Sequence, residues 1–170
     1  MKKLLFTIAA VVFAITAVAQ NSKFPELDLE VAVKAYMSIF HGSYDINAGA
    51  RINNNVFGIG CGYGMEYWDS YPADVRKLPV YGFYKRYFPL GKRKIFLLFG
   101  EITFGGECYY LINGYVSPND NVRQTPYWVL NTKLTPGIAL RFLRNCNIYL
   151  APTLEDFTMP GITAGLNVSF

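Results

Sequence analysis

The chain has 170 residues, 52% hydrophobic and 16% aromatic, with a formal net charge of +4. That length suits one domain, and so small a charge without a basic run excludes a nucleic-acid footprint, which needs a basic patch on one face. Three cysteines, Cys61, Cys108 and Cys146, are too few and too irregular for a disulfide framework or a zinc site, leaving at most one pair of unknown identity.

The N-terminus reads as an export signal. Met1-Lys2-Lys3 is a short basic region, and Leu4 to Ala17 is apolar except for Thr7 and Thr16. Ala17-Val18-Ala19 is an A-x-A site followed by Gln20. Charge, apolar run and small-residue site in that order predict a secretory signal peptide over residues 1–19. A membrane-anchor helix is the rival, but the apolar run falls short of the roughly 20 residues of a span. No cysteine stands at the cleavage point, so no lipoprotein anchor is expected. The mature domain is then 20–170, with 14 basic residues (16 less Lys2 and Lys3) against 12 acidic ones, a net charge of +2. No later stretch is apolar enough over a sufficient length for a membrane helix.

From Leu29 onward the pattern has period two, so the segments predict strands rather than helices. The first runs about 29–40, with Leu29, Val31, Val33, Ala35, Met37 and Ile39 on one face and Glu30, Lys34, Tyr36 and Ser38 on the other. The second, about 45–52, sets Ile46, Ala48, Ala50 and Ile52 against Asp45, Asn47, Gly49 and Arg51. Asn53-Asn54-Asn55 is a turn signal, because Asn tolerates positive φ. The third, 56–68, has an apolar file from Phe57 to Tyr67 and an opposite file of Gly58, Gly60, Gly62, Gly64 and Glu66. Such a file fits a place where bulky neighbours approach the backbone. A glycine-rich phosphate loop would need a helix after it, and the alternation predicts none.

A polar loop covers 69–76. The fourth segment, 77–88, has less distinct faces, and 89–93 turns the chain. The fifth, 94–112, places Phe96, Leu98, Ile102, Phe104, Cys108 and Tyr110 opposite Glu101, Thr103 and Glu107. A long loop follows over 113–126. The sixth, 127–142, sets Leu134, Ile138, Leu140 and Phe142 against Lys133, Thr135 and Arg141. Residues 143–146 turn into the seventh, 147–154, and 155–160 into the eighth, 161–170.

Eight alternating segments fill the mature chain, at lengths suited to a tilted bilayer crossing of roughly 9–11 residues. The predicted fold is all-β: an eight-stranded antiparallel up-and-down transmembrane barrel. The odd-numbered connections (41–44, 69–76, 113–126, 155–160) include the long ones, and the even-numbered ones (53–55, 89–93, 143–146) are short. Outer-membrane barrels have short periplasmic turns and longer external loops, so both termini are expected in the periplasm. A soluble, exported lipocalin-like barrel binding an apolar ligand is the alternative, with its apolar face inward. Three features favour the membrane: the export signal, opposite charges on the polar faces, and aromatics near strand ends. Those aromatics are Tyr67, Trp68 and Tyr71; Tyr84, Tyr87 and Phe88; Tyr109 and Tyr110; Tyr127 and Trp128. Tyr and Trp prefer the membrane interface.

Over residues 29–170 the chain resembles the small OmpA/OmpX-type outer-membrane barrels. The last ten residues carry the most specific likeness. Leu166, Val168 and Phe170 alternate toward a C-terminal Phe, as in the signal read by the outer-membrane assembly machinery. The resemblance implies an outer-membrane protein in contact with membrane lipid and that machinery, expected as a monomer without cofactor, metal or nucleic acid. It carries no activity, since such barrels include structural, adhesive and enzymatic members.

An eight-stranded barrel has an interior that side chains can fill. Glu30, Lys34, Arg51, Glu66, Glu101, Glu107, Lys133 and Arg141 are therefore expected to form an ion-paired interior network, because a buried unpaired charge is costly. No catalytic residue is assigned on the main reading. The role expected is structural, or interaction through external loops with a partner the sequence does not name. An enzyme is the alternative. His41, Ser43, Asp69 and Ser70 are expected on outward-facing loops, and a His base beside a Ser nucleophile suits acyl transfer. His41 with Asp69-Ser70 is loosely similar to a lipid A palmitoyltransferase, and His41-Gly42-Ser43 to a lipid A deacylase. The palmitoyltransferase's N-terminal amphipathic helix is missing, and the deacylase unit lies elsewhere in its own chain.

Overall fold

Side chains of a strand point alternately to its two faces, so a chain alternating apolar and charged residues can bury one set only by forming a sheet. A single sheet of this length leaves two open edges, and closure removes them. The computed structural model, which describes residues 27–66, 75–111 and 126–170, takes that solution. Its elements are β1 (Leu27–Ser38), β2 (His41–Ile52), β3 (Asn55–Glu66), β4 (Val75–Leu90), β5 (Phe96–Leu111), β6 (Tyr127–Leu143), β7 (Cys146–Glu155) and β8 (Met159–Ser169). Each pairs antiparallel with its sequence neighbour, and β8 pairs with β1 to close the barrel.

Register carries the two-faced pattern around the wall. Val33 lies opposite Ile46 on one side and Leu166 on the other, while Lys34 lies opposite Asp45 and Gly165. A slip of one residue would turn a whole strand inside out. The result is a wall apolar on its outside around an interior that holds the charged residues together with a cluster of apolar and aromatic side chains, Phe83, Leu97 and Phe99 among them. Ile59, Phe104, Leu130 and Leu150 project outward and are 71%, 63%, 72% and 62% exposed, whereas Glu30, Lys34, Lys85 and Glu101 are buried. That arrangement overturns the lipocalin-like alternative, which requires an apolar lumen and a polar exterior.

The glycine file of β3 makes room for the interior. A Cβ at Gly58 would lie 2.7 Å from Cε1 of Phe83, and one at Gly60 would lie 2.7 Å from Cζ of Tyr81. Both rings reach in from β4. This also explains the indistinct faces of the fourth segment. Its inner face carries Tyr81, Phe83 and Tyr87 among its lysines, so both faces read as apolar.

Several boundaries differ from expectation. The second strand begins at His41 rather than Asp45, leaving a two-residue turn, Ile39-Phe40. Residues 41–44 read as loop because they are small or polar. In fact their alternation continues: His41 and Ser43 point inward and Tyr44 outward. The last connection shrinks to 156–158, because Glu155 closes β7 and Met159 opens β8. The long connections expected at 69–76 and 113–126 lie largely outside the described residues, as do Tyr67, Trp68 and Tyr71. Tyr87, expected among the interfacial aromatics, is instead an interior residue at 2% exposure.

Candidate functional site

The interior is where this sequence concentrates chemistry. Inward positions of neighbouring strands fall side by side, so strand register alone brings Lys85 opposite Glu101 and Lys133 opposite Glu155. Two charge-balanced groups result. The first holds Glu30, Lys34, Lys85 and Glu101. Lys34 reaches across the lumen to pair with Glu101. Lys85 Nζ lies 3.0 Å from Glu101 Oε2 and 3.7 Å from Glu30 Oε1. Glu30 also accepts hydrogen bonds from the Tyr87 hydroxyl at 2.8 Å and the Asn167 amide at 2.9 Å.

The second group holds Lys77, Glu107, Lys133 and Glu155. Lys77 lies 3.2 Å from Glu107 and 3.7 Å from Glu155. Lys133 lies 3.4 Å from Glu107 and 3.0 Å from Glu155. Tyr36 donates to Glu155 at 3.1 Å, and Tyr109 to Glu107 at 2.8 Å. Between the groups, the Tyr81 hydroxyl donates to Asp45 Oδ2 at 3.0 Å. A threonine ladder joins Thr135, Thr153 and Thr163 through contacts of 3.2 and 2.6 Å. Glu30, Glu107 and Glu155 thus each meet both a cation and a neutral donor, and Glu101 meets two lysines, which offsets their desolvation. Two small cavities among these side chains measure about 20 and 10 Å³.

Of the residues expected in the network, Glu30, Lys34, Glu101, Glu107 and Lys133 are buried members of these groups. Arg51 sits at the barrel end, 3.9 Å from Glu30. Arg141 also faces the end of the lumen and donates to Asn147 Oδ1 at 3.4 Å. The side chain of Glu66 lies outside the described residues. Five further members are not evident in the sequence pattern: Lys77, Lys85, Asp45, His41 and Glu155. The two lysines fall on the strand with unclear faces. Asp45 stands on the expected inner face, beside residues whose charge is more conspicuous. His41 and Glu155 fall in segments that read as loops.

No protein-family model matches this sequence, and no curated protein matches it. Solved structures do share the architecture. Neisserial surface protein A superposes with a TM-score of 0.60 at 14% identity, covering 85% of this chain and 96% of that one. The N-terminal barrel domain of Pseudomonas aeruginosa OprF gives 0.51 at 11% identity, covering 84% and 97%. The Yersinia pestis outer membrane protein Ail gives 0.50 at 9%, covering 85% and 100%. The fold is that of the small outer-membrane barrels.

Within that fold the residues considered for acyl transfer are placed differently from expectation. Asp69 and Ser70 lie outside the described residues. His41 and Ser43 do not face outward from a loop; they are 4% and 2% exposed, on the inner face of β2. His41 Nε2 lies 2.6 Å from Glu155 Oε2, and the serine near its other ring nitrogen is Ser38, with Oγ 3.5 Å from Nδ1. That hydroxyl already serves the β1–β2 turn. It accepts from the Phe40 and His41 amides at 3.2 and 3.1 Å and donates to the His41 carbonyl oxygen at 3.1 Å. His41 is therefore a buried partner of Glu155. At the C-terminal strand, Leu166 and Phe170 point outward, and Phe170 exchanges backbone hydrogen bonds with Leu29 at 2.8 and 3.1 Å. The three cysteines are unpaired.

Proposed function

We propose that this chain resides in an outer membrane as a plugged barrel, with both termini in the periplasm, and acts as a structural or surface-interaction protein. The observation that carries the reading is the pairing of an apolar outer wall with an interior of closely paired ions, where cavities of about 20 and 10 Å³ hold at most about one water each. Such an interior is a poor path for solutes. It is a rigid frame from which the connections 67–74 and 112–125 can be displayed to an external partner. Assembly through Leu166, Val168 and Phe170 and a monomeric state belong to the same reading.

Reconstitution in planar lipid bilayers tests it. The refolded protein should migrate differently in gels before and after boiling, and it should give no stepwise conductance. Discrete openings at modest voltage would reject the plugged interior, and partition into the soluble fraction would reject the membrane location. A catalytic role is not part of the proposal, because His41 and Ser43 face the packed lumen, away from lipid. A His41→Ala variant is therefore expected to leave the lipid A mass profile of expressing cells unchanged. A changed profile would reinstate the acyl-transfer alternative.

A further inference from the structure

Deep in the lumen, the cations Lys34, Lys77, Lys85 and Lys133 and the carboxylates Glu30, Asp45, Glu101, Glu107 and Glu155 nearly match. At one end they do not. The mouth bounded by turns 53–54, 91–95 and 144–145 contains an open cavity of about 720 Å³ lined, among the described residues, by four cations, Arg51, Lys94, Arg141 and Arg144, and a single carboxylate, Asp28. Among the described residues, these four make one ion pair, the 3.9 Å contact of Arg51 with Glu30. Glu30 is already engaged by Lys85, Tyr87 and Asn167. Arg141 has the 3.4 Å hydrogen bond to Asn147, and the charge that bears on it most is that of Arg51, a like charge. Lys94 is held at the rim in a left-handed backbone conformation, φ 51°, which a non-glycine residue rarely adopts.

Four cations that share one open cavity with a single lining carboxylate repel one another unless a further anion stands among them. The planar guanidinium forks match an oxyanion bidentately, and lysine adds a point charge. A monocarboxylate would leave most of four cations unanswered, and the cavity is far larger than a carboxylate. We propose that this mouth is a binding site for a phosphate group, with Arg141 and Arg144 as principal ligands and Arg51 and Lys94 completing the ring. The phosphate could come from a soluble phosphate ester or from the headgroup of an anionic phospholipid beside the barrel end.

The test is calorimetric titration of the full-length protein with inorganic phosphate in maltoside micelles at low, constant ionic strength. Saturable binding is expected, weakened at least tenfold in R141Q/R144Q. It should stay within twofold of the parent in K92Q/R93Q, which removes the same charge from two exposed rim residues that do not line the cavity. Each variant must keep its heat-modifiable gel shift, showing that it is folded. Repeating the titration with phosphatidylglycerol in the micelles separates the sources. A loss of phosphate affinity there means the lipid headgroup takes the site, and unchanged affinity means the ligand is soluble. Absence of saturable phosphate binding, or equal weakening in the two double variants, overturns the proposal.

Discussion

A buried ion pair contributes little net stability compared with an apolar pair of the same shape, yet breaking one by removing a single partner is expensive. Glu101 is the sharpest case, because it answers two lysines at once, Lys34 and Lys85. Glu101→Gln should cost about 3–5 kcal/mol, the usual penalty for stranding a buried charge. Lys34→Met should cost less, because Glu101 keeps Lys85 at 3.0 Å. The double variant should cost less than the sum, since Lys85 retains Glu30 at 3.7 Å and no second lysine remains beside it. Urea unfolding of the refolded protein in lipid vesicles measures all three. Strict additivity would mean that Lys34 and Glu101 do not act as a pair.

Elements register the same constraint as shape. In β3, Gly58 and Gly60 stand on the inner face where the rings of Phe83 and Tyr81 reach in from β4, whereas Gly100 in β5 has open space around it, with no neighbour within 4 Å of where a methyl group would sit. Gly60→Val should therefore force Tyr81 aside and cost about 1–3 kcal/mol, as overpacking does. Gly100→Ala should stabilise by about 0.4–1 kcal/mol by restricting the unfolded chain. The same vesicle assay checks both, and equal effects would contradict the packing. Much of this was legible in the sequence. Clean alternation in β1, β3, β5 and β8 located those strands and their faces. Legibility failed where an inner face is aromatic, as in β4, and where polar residues continue a strand, as at His41-Gly42-Ser43. Period two does not separate a hydroxyl or imidazole destined for a polar lumen from one in a loop. Nor could spacing reveal that Glu155 faces His41 across the lumen, since that contact joins β2 to β7 through barrel closure.

At the scale of the molecule, the membrane reading makes a depth-dependent claim that a soluble barrel would not. Leu150 stands midway along β7, and Phe142 one residue from the end of β6; both face outward, 62% and 52% exposed. On a water-facing wall, arginine at either position should change stability by no more than about 0.5 kcal/mol. On a lipid-facing wall the cost follows depth, about 2–4 kcal/mol at the bilayer midplane and about 0–1 kcal/mol near the interface. Leu150→Arg should therefore be the costlier substitution by at least about 1 kcal/mol in vesicles. The difference arises from hydrocarbon around the wall, because both side chains project away from the ion-paired lumen and neither substitution disturbs it. In a micelle, whose thin and deformable apolar layer lets an arginine reach water, the gap should shrink. Folding equilibria of the two variants in vesicles and in micelles supply the comparison. Equal costs in vesicles would place this wall in water and remove the ground for an outer-membrane role.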